Sequence, residues 1–220
     1  MNNFYQRQIE LWGEETQNSL KNKSVAIIGC GGLGCSLGLA LGSSGIGEFY
    51  LVDFDKVELH NIHRQLGFNK DDIGKYKCEA LKYTLEKRSI DTTFNSFTVN
   101  FEEFSKMDIK VDLILDATDN LPTRKTIDDY AKKTSTPWIY ASVEEFNGQV
   151  CFFEKSSFST FNIKNKKPKG ITPPIVSFIA SLQANFALRY LANLKVQKDT
   201  LYYLYINNDG EFVTQKFKMP

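Results

Sequence analysis

Short apolar runs and amphipathic stretches of helical period alternate along the first two thirds of this chain. "SVAIIG" (24–29), "EFYLVD" (48–53), "TFNSFTV" (93–99), "DLILDA" (112–117) and "PWIYA" (137–141) are β-rich runs of strand length. Helical patterns fall between them, from about Leu33 to Ser43, Lys75 to Arg88 and Pro122 to Lys133. Strands separated by helices predict a Rossmann-like, doubly wound and mostly parallel sheet. The pattern then changes. "GQVCFFEK" (148–155) reads as a strand, residues 156–174 are polar and rich in breakers, and a helix follows to about Leu194. "LYYLYI" and "EFVTQKF" flank Asn208-Asp209-Gly210, a turn signal that predicts a C-terminal antiparallel hairpin. No internal repeat or dividing linker stands out, so residues 1–220 read as a single domain of the α/β class.

Composition adds exclusions. The chain has 220 residues with 27 basic and 26 acidic side chains, a net charge of +1, which gives no electrostatic footprint for nucleic acid or an anionic membrane. Its longest apolar stretch, 174–191, is broken by Gln183, Asn185 and Arg189 and does not read as a membrane span. The N-terminus lacks the apolar core of a signal peptide. Cys30, Cys35, Cys78 and Cys151 form no C-x-x-C and no disulfide-like pattern, so a reducing cytoplasm is the simplest setting.

Gly29, Gly31 and Gly34 satisfy G-x-G-x-x-G directly after a strand and at the start of a helix, where backbone N–H groups can face a phosphate. Gly34, Gly38 and Gly42 also recur every fourth residue, which suggests a helix lying unusually close to the sheet. Asp53 ends the second strand, where such folds set a carboxylate against a ribose hydroxyl, and Asp55 follows as a candidate cap or second contact. This layout alone does not separate a dehydrogenase from an enzyme that handles another nucleotide.

The next residues shift the balance away from NAD. Asn61, Arg64, Lys75 and Lys77 supply more polar and cationic help than a dinucleotide pyrophosphate needs, and they suit a triphosphate attacked at its α-phosphorus. Lys77 sits in a helical first turn, where the macrodipole disfavours a cation. A bound polyphosphate would remove that conflict, and a solvated surface lysine would tolerate it. Asp116, Asp119 and Asn120 close the fourth strand on the ligand side of the sheet. A carboxylate there can hold Mg²⁺ against phosphates, while Asp119 or Asn120 can cap the helix that begins near Pro122. His60 and His63 lack further ligands for zinc.

These pieces together resemble the ThiF/MoeB/HesA family, bacterial relatives of the ubiquitin-activating enzymes. The resemblance rests on "YQRQI" (5–9), "IIGCGGLG" (27–34), "LVDFDKVELHNIHRQ" (51–65), "GKYK" (74–77), "DATDN" (116–120) and "SLQA" (181–184), in family order across nearly the whole chain. It implies an ATP- and Mg²⁺-dependent adenylyltransferase that activates the C-terminal glycine of a ubiquitin-like sulfur carrier for thiamin or molybdopterin biosynthesis. By that resemblance Gly32 approaches the nucleotide, Asp53 takes the ribose, and Asn61, Arg64 and Lys77 surround the phosphates. Asp119 becomes the metal-binding, catalytically critical carboxylate, and Arg7 reaches into the site of a partner protomer in a homodimer.

Two departures stand out. Family members commonly carry two C-x-x-C pairs for a structural zinc, and this chain has neither. Many also carry a reactive cysteine before "SLQA"; here its place falls at about Lys166, which points to sulfur delivered by a separate sulfurtransferase. Among the four thiols Cys78 is the one whose pKa a neighbouring lysine and a helix N-terminus could lower. Rival readings are an adenylyltransferase for a peptide or small-molecule carboxylate, an NAD-dependent oxidoreductase, and a non-catalytic binding relative.

Overall fold

The computed structural model describes residues 3–161 and 170–220. Eight strands form one sheet in the order β3-β2-β1-β4-β5-β6-β7-β8. They are β1 (Ser24–Ile28), β2 (Glu48–Val52), β3 (Thr93–Phe97), β4 (Leu113–Asp116), β5 (Trp138–Glu144), β6 (Asn147–Phe153), β7 (Thr200–Ile206) and β8 (Phe212–Lys218). The first five are parallel, and β5 through β8 run antiparallel. The doubly wound expectation with antiparallel strands at its C-terminal end is what the structure shows.

The central strands β1 and β4 are almost wholly apolar and buried because both faces of the sheet are covered there, while the edge strand β3 carries Thr93, Asn95 and Ser96. Alternation decides which neighbour each side chain meets. Val25, Ile27, Phe49, Leu51, Leu113 and Leu115 pack with α2 (Gly32–Leu41), α3 (Lys77–Glu86) and α6 (Pro173–Leu191). Ala26, Ile28, Val52, Ile114, Trp138 and Tyr140 face the other layer, with α4 (Phe101–Phe104) and α5 (Leu121–Thr134). The helix after β1 and the helix after β4 therefore lie on opposite faces. That makes the gap between β1 and β4 the point where the winding reverses, and ligands of such sheets bind there, outside the carboxyl ends of the strands.

Two helices and one turn escaped the sequence pattern. Helix α1 (Gln6–Ser19) is polar and mostly exposed, with Ile9 and Trp12 half-buried on its inner side. It breaks at Gly13, whose φ is 85°, and holds the body through buried Gln17, whose Nε2 donates to Ser44 O at 2.9 Å. Helix α4 is a single turn capped by Asn100, which accepts from the Glu103 N–H. Strands β5 and β6 pair in one hairpin, and Glu145 takes a φ of 54° in its turn without the glycine or asparagine that would have marked it. The predicted C-terminal hairpin is present as β7 and β8, in register from Thr200↔Lys218 to Ile206↔Phe212.

The glycine row of α2 packs differently from expectation. A Cβ on Gly34 would stand 1.9 Å from Gly29 O, so its close contact is with the glycine turn itself. A Cβ on Gly38 would meet Leu85 Cδ1 at 3.0 Å, so that glycine accommodates α3 rather than the sheet. The two positions should separate on mutation. Gly34→Ala meets rigid backbone and should lose about 3 kcal/mol or more, the upper range for forced overpacking, whereas Gly38→Ala meets mobile leucine termini and should change stability by under about 1 kcal/mol. Thermal melts check this: near-equal midpoints for the two variants would contradict the assignment.

Candidate functional site

Three consecutive strands bring the sequence candidates together. The carboxyl ends of β2, β1 and β4 lie side by side, and backbone hydrogen bonds carry the pairing past them: Gly29 N donates to Val52 O and Ala117 N to Ile28 O, both at 2.8 Å. Gly29 has a φ of 92°, and a Cβ there would lie 2.7 Å from Ala117 O. Only a glycine tolerates both conditions. The turn then enters α2 at Gly31, which gives the helix no side-chain cap and no acidic residue in its first turn. The first N–H groups of α2 are thus available to an anion, with the helix dipole in their favour.

Asp53 braces this turn. Its Oδ2 accepts from Cys30 N at 2.6 Å and its Oδ1 from Asp55 N at 2.8 Å. Burial pushes its carboxyl pKa up, while the Cys30 and Asp55 N–H groups oppose that rise. The Asp53 carboxylate is thereby held at the mouth of the glycine turn.

Lys77 is neither a solvated surface lysine nor dependent on a polyphosphate for relief from the macrodipole. It opens α3 with its side chain only 10% exposed, and its Nζ donates to Asp55 Oδ2 at 2.7 Å. Asp55 also accepts the Lys77 backbone N–H at 2.8 Å. Asp55 therefore serves as counter-ion and as backbone partner to the same residue. Lys75, by contrast, is tied away to Asp72 at 2.9 Å.

Asn61 closes a 3-10 segment at Leu59–Asn61, and Arg64 sits on the turn that follows it. Asn61 is buried, its Oδ1 accepting from Glu58 N at 3.0 Å and its Nδ2 lying 3.1 Å from His60 Nε2. Arg64 is partly exposed and uses Nη1 on His60 O at 2.9 Å and on His63 Nε2 at 3.0 Å. The two histidines are thus engaged in shaping this turn. Gly32 has a packing role: a Cβ would come within 2.9 Å of Val176 Cγ1 on α6.

The turn after β4 divides its labour. Asn120 is the cap of α5, its Oδ1 accepting from Thr123 N at 2.9 Å. Asp116 is fully buried and ion-paired with Arg124, and burial raises its pKa against the pull of that guanidinium. Asp119 is exposed and has no hydrogen-bond or ion-pair partner among the described residues. It is the free carboxylate of the set. No cluster of three or more His, Cys, Asp or Glu side chains among the described residues could cage a metal. Mg²⁺ bound to phosphates asks for only one or two protein carboxylates, and Asp119 fits that need.

Sequence reasoning missed Arg124 and left Gln183 as a motif letter. Gln183, fully buried on α6, donates Nε2 to Asp116 O and Ile139 O, each at 2.9 Å, and ties β4 to β5 beside the site. The signal for Arg124 was present as a cation one turn into a capped helix, eight residues after Asp116. Arg7 lies on α1 with its side chain 92% exposed, bonded to Glu10 at 2.9 Å. About Lys166 falls outside the described residues.

All four cysteines are free and buried. Burial raises Cys35 and Cys151 to about 12 and Cys78 to about 11, and raises Cys30 well above the ordinary thiol range. The expectation that Lys77 and the α3 N-terminus would lower Cys78 is overturned: the lysine is spent on Asp55, and desolvation dominates. At pH 8 the native protein should leave a chromogenic disulfide reagent essentially unreacted over minutes, and four thiols should titrate after denaturation. One fast-reacting native thiol would contradict this arrangement.

Comparison with known proteins agrees with the geometry. The model of the ThiF family matches residues 5–220. Among curated relatives, the "adenylyltransferase and sulfurtransferase MOCS3" of Dictyostelium discoideum is 34% identical over 196 residues, covering 83% of this chain and 46% of the relative. The "sulfur carrier protein ThiS adenylyltransferase" of Escherichia coli is 30% identical over 205 residues, covering 87% of this chain and 82% of the relative. The chain spans about half the length of the MOCS3 relatives it matches. Among solved structures, E. coli MccB with succinimide superposes with a TM-score of 0.87 at 23% identity, over 100% of this chain and 72% of that one, which shows the shared fold. No helix among the described residues is long and apolar enough to cross a membrane.

Proposed function

The chain belongs to the ThiF family, and from that premise we propose that it is an ATP-dependent adenylyltransferase. Its acceptor is the C-terminal glycine carboxylate of a ubiquitin-like sulfur carrier of the ThiS or MoaD type, serving thiamin or molybdopterin biosynthesis. The observation that carries the reading is Asp119, an exposed and unpaired carboxylate on the turn that rests against the uncapped glycine turn. An NAD-dependent oxidoreductase has no use for it, and a binding scaffold has no reason to leave it unpaired at the carboxyl end of β4.

In this reaction an acceptor carboxylate oxygen bonds to the α-phosphorus of ATP, the bond from that phosphorus to the β-phosphate bridging oxygen breaks, and pyrophosphate leaves. Asp53 holds the ribose. The N–H groups of α2 face the phosphates, and Lys77, Arg64 and Asn61 offset the charge gathering on the leaving group. Asp119 would hold Mg²⁺, which supplies charge neutralisation at the phosphates when bound. For Lys77 to reach pyrophosphate it exchanges Asp55 for phosphate oxygen, so Asp55 keeps the ammonium in the site between turnovers. Asn120 caps its helix and contributes to nucleotide binding through the turn it fixes.

Within these 220 residues every thiol is buried, so the chemistry these residues perform ends at carrier–AMP. Sulfurtransferase chemistry outside them then supplies sulfur to the activated glycine. The protein works as a homodimer, with Arg7, on the exposed face of α1, reaching the partner's site.

Two measurements test the reading. The purified protein should exchange labelled pyrophosphate into ATP only with Mg²⁺ and a carboxylate acceptor present, and Asp119→Ala should cut the rate by at least about a hundredfold, the scale of losing a principal electrostatic group, with its melting point unchanged. Full exchange by Asp119→Ala would sink the assignment. Comparing a Gly-Gly-ending carrier with short peptides as acceptor separates the carrier reading from the peptide one.

The shared site has its own test. Arg7→Ala and Asp119→Ala, each inactive alone, should regain up to about a quarter of wild-type activity when mixed, because random subunit exchange leaves some dimers with one undamaged site. No recovery after verified exchange would place Arg7 outside the partner's site.

A further inference from the structure

We propose that Arg124 is a positioning residue whose guanidinium sets the turn carrying Asp119 against the glycine turn, and so fixes where the metal-binding carboxylate stands relative to the nucleotide. The inference deepens the adenylyltransferase reading and rests on it.

Arg124 lies one turn into α5 and is 5% exposed. Its Nε donates to Asp116 Oδ2 at 3.1 Å, and its Nη2 donates to Thr118 O at 2.6 Å and to Ala141 O at 3.3 Å. The Tyr140 ring lies under the guanidinium, its centroid 5.0 Å from the central carbon. Asp116 Oδ1 in turn accepts from the Thr118 N–H at 2.9 Å and from its hydroxyl at 2.6 Å. Every hydrogen-bonding group of Thr118 is therefore held by this one ion pair, its N–H and hydroxyl by Asp116 and its carbonyl by Arg124.

The consequence reaches both neighbours. With Thr118 pinned, Ala117 O is pressed to the place where Gly29 can carry no side chain. On the other side Asn120 is fixed by its capping bond to Thr123 N. Asp119 is a free side chain between two anchored residues, so its backbone sets where its carboxylate can go. Neutralising Asp116 would need only a cation. Serving Asp116, Thr118 and Ala141 together needs a planar fork, which lysine lacks.

That difference gives the test. Binding of ATP to the full chain is measured by calorimetry with Mg²⁺ and with EDTA, for the unaltered protein, Arg124→Lys, Asp119→Ala and the double variant, with melting points alongside. Arg124→Lys should bind ATP in EDTA within about twofold of the unaltered protein, yet lose about tenfold or more of the tightening that Mg²⁺ provides, the usual effect of removing a group that orients a metal ligand. Adding Asp119→Ala should cost little more, since both act through one carboxylate. Arg124→Lys with undiminished Mg²⁺ tightening, equal losses with and without Mg²⁺, or additive losses in the double variant would each overturn the proposal. If Arg124→Lys shows no cooperative melt, Thr118→Val is read in its place. It frees the hydroxyl from Asp116 while leaving the ion pair, and it must show the same Mg²⁺-specific loss or the proposal falls. An unaltered protein that binds no ATP refutes the adenylyltransferase reading itself, a result distinct from all of these.

Discussion

The site depends on a close approach of two strand ends, Ala117 O lying 2.7 Å from where a Cβ on Gly29 would be. That contact exists because β1 and β4 are neighbours whose chains leave the sheet toward opposite faces. It requires glycine at 29 and the positive φ there, and it brings the free end of α2 and the turn of Asp119 to one crevice. Asp53 then reaches across from β2 to the Cys30 N–H, which locks the glycine turn from its other side. Three strands thus contribute one group each to a single rigid rim.

Around that rim the acidic groups divide by whether they are used up by the fold. Asp116 is consumed by Arg124 and Thr118, and removing either charge would strand the other in the interior. Asp55 is half exposed and neutralises Lys77, so its partner can be exchanged for phosphate oxygen with little loss of burial. Asp53 is tied by two backbone donors yet keeps lone pairs for a ligand. Asp119 alone of the four has no partner among the described residues. The gradient from buried and paired to exposed and free runs from scaffold to chemistry.

Much of this was legible in the chain because the informative segments are local. A strand, a glycine turn and a helix start occupy eight residues from 27 to 34, and Asp53 follows at strand length beyond. The helix and strand limits came out within a few residues because the central strands are apolar runs of strand length and α3 and α5 mix apolar and charged positions at helical period. What stayed hidden depends on contacts far apart in sequence. Gln183 meets Asp116 across 67 positions, and the partner of Lys77 lies 22 residues back. Helix α1 was missed for another reason: it is polar on average and broken at Gly13, although Trp12 on it packs against the core.

The thiols show how one physical term outweighs several suggestive neighbours. Cys78 sits beside Lys77 in the first turn of α3, an arrangement that favours a thiolate when the site is open to water. Here the side chain is fully buried and the lysine's charge is matched by Asp55. Desolvation then raises the thiol to about 11, with Asp53 and Glu79 pushing the same way. Cys30 fares similarly inside the glycine turn, where the Asp53 carboxylate that braces its N–H also disfavours a second negative charge. Burial thus suppresses the nucleophilicity of Cys30 and Cys78, and Asp53 adds to it. On the proposed reading, activation of the carboxylate and delivery of sulfur are separated for an electrostatic reason: burial first, and the Asp53 carboxylate second, make the surroundings of Cys30 and Cys78 a poor place for a thiolate.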